Sequence, residues 1–567
     1  MPTVIVQNEG PVTLSDTTHL KAQGGEGSVY VRGDVVYKLW EDPSRMPSLA
    51  KIQELQILSS DPDIIIPKNL ILDKRSKPIG LTMRFVDEAH VLAQSFPKAF
   101  RDRSRLTPEK TVDRVTNFQG KLMFVHSKDG VLIVDLNEMN FMESSDFSRI
   151  YFIDTTTYKT RSFPPTALME SVRDRHTSGF SKETDYFSFA VVTFQMFIGI
   201  HPYRGKYPPV DSVVPKDERM EARMQQNISV FHKGVSIPGA CLPFSVVPQV
   251  YLDWYEAVFE RGKRIAPPEG LHAVIRVAEP VVYKMQGDSR FDVTLYFQYD
   301  DDVLSFYKDV VVTKKSVYSS GRKIGPVLTG VQIGVTPQMS HVIAASLENH
   351  ELKLFDMTTG KPLDQIPMLV DAVMSYDGRI LFQSGDSLME VSFIERQAKT
   401  IAGTELVCNV MPKATQLFEG VAIQRMLKAY FAVVSPERGM SYSVKLEELN
   451  GYRVVDAKFS KRVLIVVGIK GGKYDKFIYK FADDYQTHAL RTISDIGYNG
   501  INFTVREDGM CLHMNEDELE VFKNVNDSDQ LVSVTDPALN GAVRLLHSGT
   551  QSMFAVQNKI YKFSAKK

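Results

Sequence analysis

The sequence predicts two folded units of different class, a mixed α+β domain followed by an all-β domain. The chain has 567 residues, more than a single hydrophobic core usually holds. Up to about Gly270, alternating strand-like segments are interleaved with helical periods, whereas beyond about Asp292 only short alternating strands recur. The stretch Ala266–Gly270, with its two prolines and final glycine, breaks regular structure and marks the boundary.

Composition narrows the class of protein. The formal net charge is -1, so the chain offers no basic field for a nucleic-acid backbone. The three cysteines are far apart and indicate neither a disulfide framework nor a metal site. The N-terminus lacks the features of a signal peptide, and the longest nearly apolar stretch, Phe187–Ile200, is too short to span a bilayer. We therefore expect a cytoplasmic protein with no nucleic-acid or membrane partner.

Four segments of the first half predict regular structure. A β-branched alternating run from Val29 to Leu39 predicts strands, and Pro47 to Leu58 predicts a helix. The stretch Phe187–Ile200 predicts a helix buried on all sides, and Val247 to Arg261 predicts another helix.

The second half contains a unit that repeats seven times, an apolar alternation leading into a polar turn. Four-stranded propeller blades run to about 40–50 residues, and the units recur at comparable intervals. The sequence therefore predicts an all-β propeller of about seven blades, the alternative being a β-sandwich or two small β domains. The units are at 303–309, 351–360, 388–396, 442–450, 476–484, 518–527 and 559–567.

A glycine-rich turn and a strand lysine begin the candidate active site. Glycines allow a turn to lie flat over phosphates with its N–H groups facing the oxygens. Lys38 lies on an otherwise apolar strand, which phosphates would explain, and Glu54 on the predicted helix is its natural counter-ion. Each feature alone also fits a glycine-rich hairpin, an exposed lysine and a solvated helix face. The turn, Ala22–Tyr30, holds the glycines Gly24, Gly25 and Gly27.

Two oxygen-bearing segments follow. Asp135 comes directly after the apolar run Val131–Val134, and Asn140 lies on the same loop. An aspartate here can orient an attacking hydroxyl and accept its proton, while the asparagine oxygen can hold Mg²⁺. Asp154 ends a strand-like segment and is suited to be a second metal ligand. Loop aspartates are also common turn formers, but all four pieces in this order indicate a phosphoryl-transfer site.

In this order the segments resemble the protein-kinase superfamily. The match continues at Asp185–Ala190, Ile200–Gly205 and Leu252–Pro267, which are similar to the family's helix-heading aspartate, helix-ending and closing segments. The spacing of catalytic-loop residues is similar to that of divergent bacterial and bacteriophage kinases, with His126, Gly130, Asp135 and Asn140. The likeness covers about residues 15–270. It implies a bilobal α+β domain at 1–275, with a small lobe at about 1–86 and a large lobe at about 87–275. The strand pattern, independently of the resemblance, predicts the propeller at 292–567 after a linker at 276–291.

The resemblance also implies ATP and Mg²⁺ as cofactors and a role for each site residue. Asp135 would be the catalytic base, with Asn140 and Asp154 as the metal ligands. Lys38 would contact the α- and β-phosphates with Glu54 as its partner, and Asp185 would brace the catalytic loop. The other implied ATP contacts are Gly24, Gly25, Gly27 and Val29 over the nucleotide and, in the hinge 81–86, Met83 behind the adenine and the backbone of Arg84 and Val86.

The chain departs from the family pattern at several points. Asp154 is followed by Thr155–Thr157 rather than Phe-Gly, and Val134 replaces the arginine that normally precedes the catalytic aspartate. Without that arginine, activation by phosphorylation is predicted not to be required. Glu170 is the nearest candidate for the family's ion pair with Arg264.

The predicted function is an ATP- and Mg²⁺-dependent serine/threonine protein kinase of bacterial or phage type, with the propeller as a docking platform for a partner or substrate. The alternatives are a nucleotide-binding pseudokinase scaffold, a structural component of a phage particle that would associate with virions, and a small-molecule kinase.

Overall fold

The protein is described by a computed structural model that covers residues 3–23, 26–269, 289–327, 330–396, 399–426, 429–523 and 531–566. Gly24 and Gly25, and most of the linker predicted at 276–291, lie outside the described residues. The domain limits drawn through that linker therefore stay a prediction.

A seven-stranded antiparallel sheet forms the first part of the chain, in the order β2-β1-β6-β7-β5-β4-β3. The single alternating run predicted from Val29 to Leu39 is a hairpin of two strands, because Gly33 turns the chain with a φ of 61°. The strands are β1 (Thr3–Val6), β2 (Gly10–Thr13), β3 (Leu20–Gln23), β4 (Gly27–Arg32), β5 (Val35–Trp40), β6 (Leu70–Leu72) and β7 (Pro78–Arg84).

The helices that follow pack around the predicted buried helix. It spans Lys182–Ile198, and every residue from Asp185 to Ile198 is buried. A capping box between Ser181 and Thr184 begins it, and Gly199 ends it with a φ of 91°. The helices are α1 (Leu49–Leu55), α2 (Lys98–Arg103), α3 (Pro108–His126), α4 (Lys182–Ile198), α5 (Pro208–Asp211), α6 (Arg219–Gln226) and α7 (Gln249–Phe259).

The predicted helices are confirmed at α1, α4 and α7. A three-stranded sheet of β8 (Ala89–Val91), β9 (Phe141–Ser144) and β10 (Ile150–Phe152) lies in the same part of the chain, in the order β10-β9-β8. Within the described ranges, no helix is both long enough and apolar enough to cross a membrane.

The described part of the second half forms seven four-stranded antiparallel sheets. Six are consecutive meanders, and the seventh pairs the first strand of this half, β11, with the last, β38. The strands are β11 (Phe291–Gln298), β12 (Val303–Tyr307), β13 (Val310–Thr313), β14 (Ser316–Ser319), β15 (Arg322–Pro326), β16 (Gln332–Val335), β17 (Val342–Glu348), β18 (Glu351–Asp356), β19 (Lys361–Pro362), β20 (Ala372–Tyr376), β21 (Arg379–Ser384), β22 (Ser387–Arg396), β23 (Lys399–Asn409), β24 (Thr415–Phe418), β25 (Val421–Met426), β26 (Ala429–Val434), β27 (Tyr442–Leu446), β28 (Arg453–Ser460), β29 (Val463–Lys470), β30 (Lys473–Phe481), β31 (His488–Ile493), β32 (Phe503–Val505), β33 (Cys511–Asn515), β34 (Glu518–Phe522), β35 (Val532–Val534), β36 (Arg544–Ser548), β37 (Gln551–Val556) and β38 (Lys559–Ala565).

The seven sequence repeats fall one in each sheet, but not at the same position within the sheets. Five of them coincide with a third strand, whereas the unit at 303–309 is a first strand and the unit at 442–450 is a fourth. Strand patterning therefore predicts the number of sheets, while the register of the repeat depends on pairing that the pattern does not contain.

The two halves of the chain are packed together through both apolar and polar contacts. Ala93 and Met139 of the first half share a buried cluster with Val455 and Ile469 of β28 and β29. Ion pairs across the same boundary join Arg204 to Asp495 and Arg544 to Asp102. Since Met139 belongs to the predicted catalytic loop, the sheet β28–β31 lies directly against the candidate active site.

Candidate active site

The hairpin of β4 and β5 positions the glycine-rich turn and the strand lysine. A Cβ atom at Gly27 would lie 1.8 Å from the carbonyl oxygen of Leu39, so only glycine allows this approach. Val29 pairs directly with Lys38 across the two strands. Directly opposed residues project from the same face of a sheet, so Val29 and Lys38 share the face above the cleft.

The ammonium group of Lys38 binds the carboxylate predicted to be a metal ligand. Its Nζ lies 3.1 Å from Oδ1 of Asp154 and 3.7 Å from Oε2 of Glu26. The predicted ion pair between Lys38 and Glu54 is absent among the described residues. The Glu54 carboxylate instead accepts a hydrogen bond of 3.1 Å from the backbone N–H of Ser162. The hydroxyl groups of Ser162 and Thr160 hold the pKa of Glu54 below its usual value.

The orientation of α1 explains this difference. The helix buries Lys51, Ile52 and Leu55, which leaves Glu54 on its flank. Lys51 is only 3% exposed, and its ammonium lies in the field of Asp154. Burial lowers the pKa of Lys51, and the nearby carboxylate opposes that shift. The Lys51 ammonium donates to the carbonyl oxygen of Pro164 at 3.3 Å, so the helix directs a second cation, rather than an anion, toward the segment that follows Asp154.

The predicted catalytic loop is held by a buried aspartate, as the resemblance implied. Asp185 at the start of α4 accepts hydrogen bonds of 2.8 Å and 2.9 Å from the backbone N–H groups of Ile133 and Val134. It also lies 2.9 Å from Nε2 of His126. Val134 has a φ of 63°, which is strained for a β-branched residue and persists only where its surroundings impose it.

Both carboxylate oxygens of Asp135 are engaged. Asn137 donates to Oδ1 at 2.9 Å, and Asn140 donates to Oδ2 at 2.9 Å. The backbone N–H of Met169, from the segment after the cleft, donates to Oδ1 at 2.7 Å. Burial raises the pKa of Asp135, and these three donors oppose the shift. Oδ1 thus accepts two hydrogen bonds and Oδ2 one, which leaves a lone pair of Oδ2 for an acceptor hydroxyl.

Asn140 and Asp154 are brought together by the strand that ends at Phe152. The backbone N–H of Ile153 donates to the carbonyl oxygen of Asn140 at 3.0 Å. Asp154 has a φ of 55°, and its Oδ1 accepts from Thr156 at 3.0 Å as well as from Lys38. Burial alone would raise the pKa of Asp154, but these donors hold it below its usual value, so the side chain is a carboxylate.

This donor set fits a magnesium ion. The described residues hold no group of three or more acidic, histidine or cysteine side chains that would form a complete metal cage. Mg²⁺ does not require one, because it is commonly held by one or two protein ligands together with phosphates and water. The side-chain nitrogen of Asn140 is used by Asp135, which leaves the amide oxygen as the ligand atom beside Asp154. A bound ion would neutralise the charge of the phosphates there.

The predicted hinge connects β7 to β8. Met83 and Val86 are buried together with Ile65 and Tyr151. Arg84 is still part of β7 and pairs with Val35, so of the two residues expected to bond adenine through their backbone, only Val86 lies beyond the sheet.

Arg264 does not pair with Glu170 as expected but forms its ion pair with Asp174. Arg264 makes a bidentate contact with Asp174, at 2.6 Å and 2.7 Å, and its guanidinium lies 4.5 Å from the ring centre of Phe187. Glu170 is exposed and contacts Arg173 and Arg175. Proximity in sequence suggested Glu170, whereas the bidentate geometry and the burial of Asp174 favour the observed pair.

We expect replacement of Asp174 by alanine to destabilise the protein strongly. Removing one partner of a largely buried pair costs about 3 kcal/mol, so the melting temperature should fall by roughly 6–12 °C. Glu170→Ala, which removes only exposed pairs, should change it little. Calorimetry of the two full-length variants checks this, and equal effects would contradict the assignment of Asp174.

The same pair has a defined pH dependence. Burial alone would raise the pKa of Asp174, but Arg264 and the backbone N–H of His176 hold it below the ordinary value of 3.8. A lowered folded-state pKa contributes stability that is complete above the unfolded pKa. This contribution is therefore present at neutral pH and is lost only as the pH falls through the folded-state value.

The segment after Asp154 hides most of its hydroxyl groups. The side chains of Thr155–Thr157, Tyr158 and Thr160 are buried, whereas Ser162 is exposed. The expectation that activity needs no phosphorylation of this segment stays a prediction.

Sequence reasoning missed several residues around the cleft. Lys51 lies on the same predicted helix as Glu54. The sequence signal for its burial is weak, since it consists only of a charged residue between two apolar neighbours. Met169 acts through its backbone, which leaves no residue-type signal. Tyr474, whose hydroxyl donates to Oε1 of Glu138 in the catalytic loop at 2.6 Å, comes from the distant second half and has no local signal.

A sheet with a glycine turn and a lysine, a hinge and a braced loop follow one another in the order that the resemblance to protein kinases implies. No protein-family model and no curated protein matches the chain. Among solved structures, the ROP18 kinase domain in complex with AMP-PNP and sucrose is 13% identical, with a TM-score of 0.33, and the match covers 48% of this chain and 82% of that one. The kinase PK-1 of Cydia pomonella granulovirus is 14% identical, with a TM-score of 0.32, and the match covers 45% and 93%. These are likenesses of fold over about half of this chain, and the roles of the site residues rest on the contacts described above.

Proposed function

We propose that the first half of the chain binds ATP with Mg²⁺ and transfers the γ-phosphoryl group to a serine or threonine hydroxyl of a protein. The observation that carries the proposal is the convergence of Lys38, Asp135, Asn140 and Asp154 on one cleft, although they come from three separate segments. Positioning and charge neutralisation provide most of the catalysis in phosphoryl transfer, and this set contains the groups needed for both.

Within this proposal each residue has a defined task. Lys38 holds the α- and β-phosphates, and Asn140 and Asp154 hold the metal ion. Asp135 orients the acceptor hydroxyl and accepts its proton, through the oxygen Oδ2 that has only the Asn140 side chain as a donor. The braces from Asp185 keep the loop in this strained geometry before substrate arrives.

We also propose that the seven sheets of the second half close into a propeller that docks a protein partner or substrate. The pairing of the first strand, β11, with the last strand, β38, supports closure. A sheet shared by the two ends of the domain joins them and helps a ring of sheets to avoid long unpaired edges. Propeller loops form a broad, variable face, which suits a docking platform, although fold alone does not name the partner.

The experiment is to incubate the full-length protein with labelled ATP and Mg²⁺, alone and with a generic protein acceptor. We expect label on serine or threonine of the protein itself or of the acceptor, and an increase in melting temperature with Mg²⁺–ATP. Label on a small molecule only would redirect the proposal to a small-molecule kinase. Cofractionation with virions would instead favour a structural role.

A specific observation favours a second candidate, a nucleotide-binding pseudokinase scaffold. Lys38 binds Asp154 rather than Glu54, and the Met169 amide donates to one oxygen of the proposed catalytic carboxylate. A protein that stayed in this arrangement would bind nucleotide without transferring phosphate. An ATP-induced rise in melting temperature with no labelled product under any acceptor condition would identify this case.

A further inference from the structure

An arginine of the second half, Arg453, lies beside the candidate active site, in the field of Asp154. Arg453 is the first residue of β28, and it pairs directly with Ile469 of β29. Ile469 is part of the buried cluster with Met139 and Ala93, next to the catalytic loop. Directly opposed residues share one face of a sheet, so Arg453 projects from the face that packs on the first half.

The position of this strand is fixed. The side-chain amide of Gln94 donates to the carbonyl oxygen of Val455 at 3.2 Å, and the Val455 side chain is buried against the first half. The turn between β29 and β30 also contacts the first half, since a Cβ on Gly472 would meet Oγ of Ser171 at 2.8 Å. The strand end that carries Arg453 is therefore held at the cleft from both sides.

The guanidinium of Arg453 has no hydrogen bond or ion pair with any residue that the structure describes, and the side chain is exposed. Other cations at the same boundary are engaged: Arg204 binds Asp495, and Arg544 binds Asp102. Lys473, on β30 of the same sheet, donates to the carbonyl oxygen of Asp217 at 2.7 Å. Unlike these three cations, Arg453 has all of its donors left for a ligand.

The acidic groups that act on Arg453 identify its surroundings. They are the carboxylates of Asp154 and Glu26, which also bind Lys38. Lys38 contacts the Asp154 carboxylate, and Lys51 and Arg453 lie in its field. Three cations from three different parts of the chain thus act at this place, which suits a polyanionic phosphate chain.

We propose that Arg453 is a phosphate-binding residue of the nucleotide site, supplied by the C-terminal half of the same chain. The inference rests on the proposed ATP binding and adds a residue that lies about 300 positions beyond the catalytic loop. Arginine suits this task because its planar group donates two parallel hydrogen bonds to one phosphate. Docking of the second half would then complete the nucleotide site rather than only cover it.

The test compares full-length wild type with Arg453→Ala, Arg453→Lys and the matched control Lys473→Ala. Calorimetric titration measures the affinity of each for Mg²⁺–ATP and for adenosine, which has no phosphate. We expect Arg453→Ala to weaken ATP binding by about 10- to 100-fold, the loss typical of a hydrogen bond to a charged group, with adenosine binding unchanged. Arg453→Lys should retain part of the ATP affinity, and Lys473→Ala should match wild type.

The outcomes separate this inference from the proposed function. Wild-type binding of ATP that Arg453→Ala leaves unchanged would overturn the inference and leave the proposed function standing. An equal loss for ATP and adenosine, or an equal loss in Lys473→Ala, would assign Arg453 to packing of the two halves and also overturn it. Failure of the wild type to bind either nucleoside or nucleotide would remove the proposed function and the inference together.

Discussion

Replacement of Asp135 by asparagine is expected to lower phosphoryl transfer by about 10³-fold, because a positioned general base contributes roughly 10²–10⁴-fold. Asparagine has nearly the same shape as aspartate but cannot accept the hydroxyl proton. In the wild type, the backbone N–H of Met169 binds one carboxylate oxygen and the side chain of Asn140 binds the other. Asparagine offers only one oxygen, so one of these hydrogen bonds is lost and a small loss of stability is also expected. The measurement is the rate of label transfer at saturating ATP, together with the affinity for ATP.

The affinity for ATP should be nearly unchanged in this variant, because Asp135 contacts no nucleotide in the proposed arrangement. Asp129→Asn is the matched control: Asp129 lies six positions earlier, its side chain is 83% exposed, and it makes only a 3.8 Å contact with Arg161. This control should transfer phosphate like wild type. Undiminished transfer by Asp135→Asn would exclude Asp135 as the base.

Replacement of Asp154 by asparagine is expected to have an effect of similar size for a different reason. A metal ion contributes several kcal/mol of charge stabilisation in the transition state, so loss of its carboxylate ligand should cost about 10³-fold at about 1.4 kcal/mol per decade. Lys38 would also lose the negative charge of this partner. We expect transfer to fall and the Mg²⁺ concentration needed for half-maximal activity to rise.

The metal dependence distinguishes this role from a structural one. Asp146→Asn is the matched control, since Asp146 is an exposed turn residue between β9 and β10 that accepts hydrogen bonds from Ser144 and Ser148. The control should leave both the rate and the Mg²⁺ requirement unchanged. If Asp154→Asn lowered the rate without changing the Mg²⁺ requirement, Asp154 would act by positioning Lys38 rather than by holding the metal.

Together the two variants separate an active kinase from a pseudokinase. In an active enzyme both replacements silence transfer while the wild type labels its substrate. In a pseudokinase all three proteins are silent, and only Asp154→Asn changes the response of ATP binding to Mg²⁺. This comparison is needed because the contacts of Lys38 with Asp154 and of the Met169 amide with Asp135 are compatible both with the resting state of an active kinase and with a pseudokinase.

Local patterning determined much of this protein from the sequence alone. Periodicity predicted α1, α4 and α7, because the period of apolar residues records which positions are buried whatever the partner. Repetition of one strand unit predicted seven sheets, since each sheet needs its own buried face. Asp135 and Asn140 were found together because they lie on one short loop, where separation in sequence limits separation in space.

Tertiary structure alone decided which groups meet across separate elements. The sequence placed Glu54 beside Lys38 and Glu170 beside Arg264, whereas the fold pairs these two cations with Asp154 and Asp174. A periodic pattern shows which face of a helix is buried but not how the helix is rotated against its neighbours. Here α1 is rotated so that Lys51 is buried and its ammonium contacts the Pro164 carbonyl. The approach of Arg453 to the same cleft depends on how the two halves pack, and contacts between residues hundreds of positions apart leave no local trace in a single sequence.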